Sequence, residues 1–163
     1  MSLSSGITLS YKSNLSAVVE MASLTAAVQE NRQFNFLNGV DENQCDLAWY
    51  DQGSLPAEGL VDIDLNNLFD SFGVAIAFAK LKALIVENTS DQTLKVGGAI
   101  TNPFFACFGS NTDKTLIPAQ SPLVIMSKKI GFTVDATHKI LRVENSSLTT
   151  PATYNIWLIG TSV

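Results

Sequence analysis

Side chains that do chemistry are scarce in this chain. Its 163 residues include one histidine, His138, and two cysteines, Cys45 and Cys107. With a single imidazole, Ser-His-Asp, Cys-His and multi-histidine metal arrangements would all depend on one residue. His138 follows Asp135-Ala136-Thr137 at an expected strand entrance and reads as an exposed turn residue. The cysteines lie far apart and in no Cys-x-x-Cys or Cys-x-x-x-His spacing, which argues against zinc. They read as a free, reduced pair, with a single disulfide as the alternative. Charge is also low, at 15 % of residues against roughly 25 % in ordinary soluble domains. The formal net charge is -5, and the only basic cluster is Lys128-Lys129, so counterion-releasing contact with nucleic acid is not expected. No apolar run approaches the roughly 18 residues of a membrane span; the longest, Gly73 to Ala79, is followed by Lys80 and Lys82. Met1 to Gly6 shows no basic region leading into an apolar stretch, so no secretory signal is expected. A chain made in a reducing cytoplasm and staying soluble is the reading, and the Asn-x-Ser/Thr triplets at Asn14, Asn88 and Asn145 are then chance matches.

What the chain does have is β patterning. At 46 % hydrophobic it can fill one core, and one phrase occurs twice, Leu84-Ile85-Val86-Glu87-Asn88-Thr89-Ser90 and Leu141-Arg142-Val143-Glu144-Asn145-Ser146-Ser147. Each copy stops at Glu-Asn, passes through small polar residues and restarts as a strand-like run, so each predicts a hairpin whose asparagine forms the turn. Short strands are expected at Phe34–Phe36, Leu47–Tyr50, Gly59–Leu65, Leu123–Ser127, Gly131–Asp135, Lys139–Asn145 and Tyr154–Gly160, spaced as in a sandwich or barrel. Residues 2–13 read as an extended arm or an edge strand. The spacing of Val18, Val19, Met21, Leu24, Ala27 and Val28 partly fits a helix, but extended chain is preferred over 16–29. Asp64 as cap, with Leu65, Leu68, Phe69 and Phe72 at helical spacing and Gly73 as stop, predicts one short helix near 65–72. In Val74–Asn88 the outward lysines Lys80 and Lys82 share a parity with apparently buried Leu84 and Val86, and a β-bulge near Ala83 reconciles the two phases.

Residues 100–117 form a long connection holding Phe104, Phe105 and Phe108, which either plug one end of the sandwich or anchor a subunit contact. Asp62-x-Asp64 puts two carboxylates on one strand face, a frequent chance pattern in which Asp64 already has a cap to make. Trp49, Tyr50 and Trp157 would serve a carbohydrate site only if exposed, and their strand-like context predicts core packing. No catalytic, cofactor-binding or metal-binding residue is expected, and the chain does not read as an enzyme.

Leu68-Phe69-Asp70-Ser71-Phe72-Gly73, Phe78 through Ser90, Val96-Gly97-Gly98-Ala99, Phe108-Gly109, Gly131-Phe132-Thr133-Val134 and Tyr154 through Gly160 together resemble small virion structural proteins of tailed bacteriophages over roughly residues 45–163. The resemblance implies a capsid decoration or cement protein, or else a tail or head-fibre component with a carbohydrate-binding β-sandwich. It implies a homotrimer partnered by the major capsid protein or another virion protein, located in the virion after synthesis in the host cytoplasm. It carries over no functional residue. The fold expected is all-β, a jelly-roll-like antiparallel β-sandwich over 31–163 preceded by an extended arm over 1–30. The expected oligomer or shell contacts are Leu3, Ile7, Leu9 and Tyr11 on the arm, with Phe104, Phe105 and Phe108.

Overall fold

Alternating and β-branched runs give fourteen strands and no helix among residues 3–19 and 22–163, which the computed structural model describes. In chain order they are β1 (Ser5–Val19), β2 (Ala22–Asn38), β3 (Gln44–Cys45), β4 (Leu47–Leu55), β5 (Leu60–Asp64), β6 (Leu68–Phe69), β7 (Ala75–Ile76), β8 (Lys80–Asn88), β9 (Leu94–Gly97), β10 (Lys114–Ile117), β11 (Pro122–Met126), β12 (Phe132–Thr133), β13 (Ile140–Asn145) and β14 (Ala152–Thr161). Ser2, Glu20 and Met21 of the expected extended segments lie outside the described residues. The rest of 16–29 is extended, as expected, because β1 and β2 pair continuously from Ser5↔Phe36 to Val19↔Ala22.

Two antiparallel sheets face each other. One runs β11-β8-β14-β4, with β12 also on β8, and the other runs β10-β9-β13-β5. Leu84, Val86, Ile156 and Leu158 from the first meet Ile63, Leu94, Val96, Leu141 and Val143 from the second in one buried core. Each such side chain stabilises the fold by roughly 1.5–3 kcal/mol relative to exposure.

The repeated phrase does not make hairpins. β8 and β9 lie in different sheets, as do β13 and β14, so each copy is an arch that carries the chain across the sandwich. The two arches interlock, because β8 pairs with β14 and β9 pairs with β13. Their asparagines bond the local backbone as turn formers, as expected, and both are buried. Asn88 Oδ1 accepts from the Ser90 amide at 3.0 Å, while its Nδ2 donates to the carbonyls of Gln92 and Pro118 at 2.5 and 2.9 Å. Asn145 Oδ1 accepts from the Ser147 amide at 3.0 Å, while its Nδ2 donates to Pro56 and Thr150 at 2.9 and 2.8 Å. A primary amide is needed because it supplies an acceptor and two donors on one short stem.

The correspondence extends beyond the arches. Leu55-Pro56-Ala57-Glu58 leaves β4 as Ile117-Pro118-Ala119-Gln120 leaves β10, and Glu58 and Gln120 both take left-handed backbone, at φ 57° and 53°. The Glu58 amide donates to Ser147 of the second arch at 2.8 Å, and the Gln120 amide donates to Ser90 of the first at 3.1 Å. Exchanging β4, β5, β8 and β9 for β10, β11, β13 and β14 maps one sheet order onto the other in reverse. The sandwich therefore has an internal two-fold pattern.

The predicted helix over 65–72 is absent. Leu65 and Leu68 are buried as a helical stripe would require, but Phe69 and Phe72 are exposed. Asp64 Oδ1 does accept from the Asn66 amide, at 3.0 Å, as the start of a turn rather than a helix. The Asp70 carboxylate then accepts from Phe72 and Val74 amides at 2.9 and 2.8 Å and reverses the chain between β6 and β7. Local side-chain bonding to the backbone outcompetes the helix. The expected bulge is present: Ile159 faces Ala83 while Gly160 faces Leu81, leaving Lys82 as the extra residue. Lys82 is not outward but buried, and its ammonium donates to the Lys129 carbonyl at 2.7 Å. Gly160 is required opposite the bulge, since a Cβ there would overlap the Lys80 carbonyl.

β1 and β2 form a ribbon whose fifteen-residue first strand spans roughly 50 Å at about 3.3 Å per residue. Its base packs Ile7 and Phe36 with Cys45 on Ala83 and Ile159, the outer face of the five-stranded sheet. β2 runs unbroken through positions 30 and 31. Since an unsatisfied buried polar group costs roughly 1–3 kcal/mol, Asn88→Ala and Asn145→Ala should each lower stability by about 3 kcal/mol. Urea unfolding should show a lower midpoint at unchanged slope; a loss below about 1 kcal/mol for either would contradict the stapling role.

Candidate functional site

Two exposed features stand out from the sandwich. The first is the ribbon beyond its base. Residues 8–13 and 27–33 are exposed on both strands. Cross-strand pairing puts Ile7, Leu9 and Tyr11 on one face with Phe36, Phe34 and Val28, whereas Thr8, Ser10 and Lys12 share the other with Gln33, Asn31 and Gln29. One face is thus largely apolar, interrupted by an ion pair between Arg32 and Glu30. Its burial at Ile7 and Phe36 gives way to open surface at Leu9, Tyr11 and Val28, which are 45, 60 and 59 % exposed.

The second feature is a groove beside the ribbon base. Pairing across the five-stranded sheet sets Tyr50, Trp157, Ile85 and Val124 in one outer row, with Gln52, Asn155 and Glu87 in the next. Tyr50 and Trp157 are ring neighbours at 5.2 Å between centroids, tilted by 38°. Ser5, Gly6 and Ile7 wall the groove on one side and Ser71 of the β6–β7 turn contributes another, enclosing about 500 Å³. A lobe of about 220 Å³ continues past Ala48 and Ser71 to Leu3 and Phe72. In the polar row, Tyr50 Oη donates to Gln52 Oε1 at 3.1 Å and Asn155 Nδ2 to Glu87 Oε2 at 2.9 Å. No lysine, arginine or histidine lines the groove.

The internal two-fold makes this groove asymmetric. Glu87 corresponds to Glu144 and Asn155 to Lys95, but on the other sheet that outer face carries ion pairs. Glu144 takes both Lys95 and Lys114, at 3.1 and 2.6 Å, and Arg142 clasps Asp62 through two bonds of 2.7 Å. Trp157 corresponds to Gly97, so the aromatic floor has no counterpart. The Asp62-x-Asp64 pair is likewise occupied, Asp64 by Lys139 at 2.7 Å. Among the described residues no group of three or more His, Cys, Asp or Glu is placed to hold a metal.

The residues singled out from sequence fall into different places. Leu3 packs at the ribbon base, Ile7 is buried there, and Leu9 and Tyr11 stand on the exposed ribbon face. Phe104 has no exposed surface and belongs to the core, leaving it no side chain to offer another chain. Phe108 and Cys107 pack partly buried against the same core, and Phe105 meets the His138 ring edge-on at 4.9 Å. His138 Nδ1 sits 2.9 Å from Asp135 Oδ2, and these bonds with those from Thr137 hold the Asp135 carboxyl well below the usual carboxylate range. Both cysteines are unpaired, and burial pushes their thiols up to about 11 for Cys45 and about 12 for Cys107, which makes them poor nucleophiles. Trp49 packs against the core as expected, but Tyr50 and Trp157 face outward. The available signal is the parity of β14, where Trp157 is in phase with Thr153 and Asn155 and alternates with the buried Ile156 and Leu158.

No family model matches the chain, and no curated protein matches it. Among solved structures it is similar to the crystal structure of PirA, at 12 % identity and a TM-score of 0.38, covering 68 % of this chain and 93 % of that one. A likeness that distant bears on neither fold nor function.

Lysine bonding holds the Glu144 carboxyl below its ordinary value of 4.5. A depressed carboxyl stabilises above its unfolded pKa and loses that contribution as pH falls through the folded one. Glu144→Gln should therefore cost about 1 kcal/mol or less at neutral pH, given its partial exposure. The gap from the wild type should close in unfolding experiments as the pH falls below the ordinary carboxylate range; a gap that persists in acid would refute the pairing.

Proposed function

We propose that this chain is a non-enzymatic virion structural protein of a tailed bacteriophage, a capsid decoration or cement protein that assembles as a homotrimer and stabilises the shell by bridging capsomers. The observation that carries the assembly is the ribbon, whose apolar face runs outward from Ile7 through Leu9, Tyr11 and Val28 with no described residue over it. A two-stranded ribbon is marginal in water by itself. Packing that face against a second and third copy, or against the major capsid protein, supplies the missing layer, and symmetry multiplies modest contacts into avidity. The low charge of the surface suits such burial, since interfaces are depleted in lysine and glutamate.

The finer reading of the fold belongs to the same proposal. Its support is the strand order: β11-β8-β14-β4 in one sheet and β10-β9-β13-β5 in the other, joined by repeated sheet changes. That order fits an eight-stranded jelly roll, an architecture used by viral capsid and lectin domains. Fold alone does not assign the role; the support for it is the ribbon and the sequence resemblance.

The test joins light-scattering mass to particle binding. Replacing residues 10–31 by a two-residue Asn-Gly turn keeps Ile7 and Phe36 at the base and removes the apolar face. The full chain should be a trimer that binds phage shells in hundreds of copies, and the shortened one a folded monomer that does not. A full chain that is monomeric and stays off the shell would end this reading, and a few copies per particle would move it to the tail or a head fibre.

A further inference from the structure

We infer that the groove on the outer face of the five-stranded sheet is a binding site for a neutral oligosaccharide, with Tyr50 and Trp157 as the stacking floor and with Gln52 and Asn155, which line an adjoining depression of about 350 Å³, as the hydrogen-bonding partners. The groove uses the ribbon's base at Ser5–Ile7 as a wall but not its exposed apolar face, and the inference does not depend on the assembly reading.

Shape comes first. A groove of about 500 Å³ with a continuing lobe falls within the roughly 300–1,000 Å³ of small-ligand sites. It is preformed, because the ribbon base and the β6–β7 turn are both tied to the sandwich, through Ile7 with Phe36 and through Leu68. Chemistry selects the ligand class. Tyr50 is 46 % exposed and, with its tilted neighbour Trp157, offers π-faces to the C–H face of a pyranose ring. One cross-strand row away, Gln52 Oε1 is taken by Tyr50, which leaves the Gln52 amide nitrogen to donate. Asn155 donates one proton to Glu87 and keeps its Oδ1 and second N–H for hydroxyl groups. Sugars present this pairing of an apolar face with a ring of donor-acceptor hydroxyls. An anionic ligand finds no lysine, arginine or histidine lining the groove or the adjoining depression. The internal symmetry adds an independent argument. The equivalent outer face of the other sheet has Gly97 where the groove has Trp157 and carries the Asp62–Arg142 and Glu144–Lys95–Lys114 ion pairs, so the aromatic floor is not a requirement of the scaffold.

The test uses the full chain on a printed array of neutral and acidic oligosaccharides, followed by saturation-transfer NMR with maltose, cellobiose, lactose and chitobiose. Binding to neutral glycans is expected, with Tyr50→Ala and Gln52→Ala each weakening it about tenfold. Both positions are at or near the surface, so melting curves should match the wild type. Trp157→Phe, which keeps a ring, should retain part of the affinity even if Trp157→Ala fails to fold. Absence of binding to every array and NMR probe, or binding that Tyr50→Ala and Gln52→Ala leave unchanged, would overturn the inference. So would dissociation of an oligomer by Tyr50→Ala, since the groove would then be occupied by a second copy of the chain.

Discussion

Two buried asparagines hold the sandwich shut. Asn88 and Asn145 stand where the chain leaves one sheet for the other, and crossing strands must bury polar backbone that no ladder can satisfy. Each side chain answers that need in three directions. It closes its own arch, reaches the strand end that carries Leu-Pro-Ala or Ile-Pro-Ala, and leaves its Oδ1 for the amide two residues on. The residues that follow complete the lock. The Thr89 amide donates to Thr153 of the other arch at 3.1 Å, and the Ser146 amide donates to Thr93 at 3.1 Å. Neither arch can open without disturbing its mate, which couples the two sheets beyond their shared apolar core.

These relations explain what could be read in the sequence. Alternation and turn chemistry reveal strands at β5, β8, β13 and β14 and an all-β chain, because both are local properties. The repeated Val-Glu-Asn phrase is legible too, but hairpin and arch share the same local signature, strand, polar turn and strand. Which sheet the second strand joins is decided by partners some sixty residues away. The clue that separates the two readings is the other repeat, Leu55-Pro56-Ala57 and Ile117-Pro118-Ala119, which matters only once each proline-led bend is seen to meet an asparagine. The helix expected over 65–72 fails for the opposite reason. Its periodicity is real at Leu65 and Leu68, but Asp70 finds backbone amides nearer than any helical cap. In the groove, Trp49 and Tyr50 are neighbours in sequence with opposite fates, since strand parity sends one inward and the other out. Composition ranks both as core.

The ribbon's attachment depends on Lys82. The bulge turns it into the interior beneath the ribbon base, where desolvation lowers its pKa from the ordinary value and its ammonium meets the Lys129 carbonyl, with the Asp41 carbonyl at 3.5 Å. Those carbonyls belong to the loops on either side of the ribbon's return into the body. One cation therefore sets where the ribbon leaves the sandwich, and with it one wall of the aromatic groove. Ribbon and groove share this anchor, although their surfaces serve different contacts.

The place of β14 carries a consequence for how the chain becomes a protein. This strand lies inside its sheet, with β8 on one side and β4 on the other, and the residues it pairs with precede it by 66 to 113 positions. Until Ala152–Thr161 has emerged from the ribosome, β4 and β8 have no common neighbour and the apolar faces of both sheets stay uncovered. Closure must wait for that segment, and contacts of such long sequence separation form slowly. A nascent chain of this design exposes sticky strand edges until β14 is made, so shielding during translation bears on its yield as much as the stability of the finished fold.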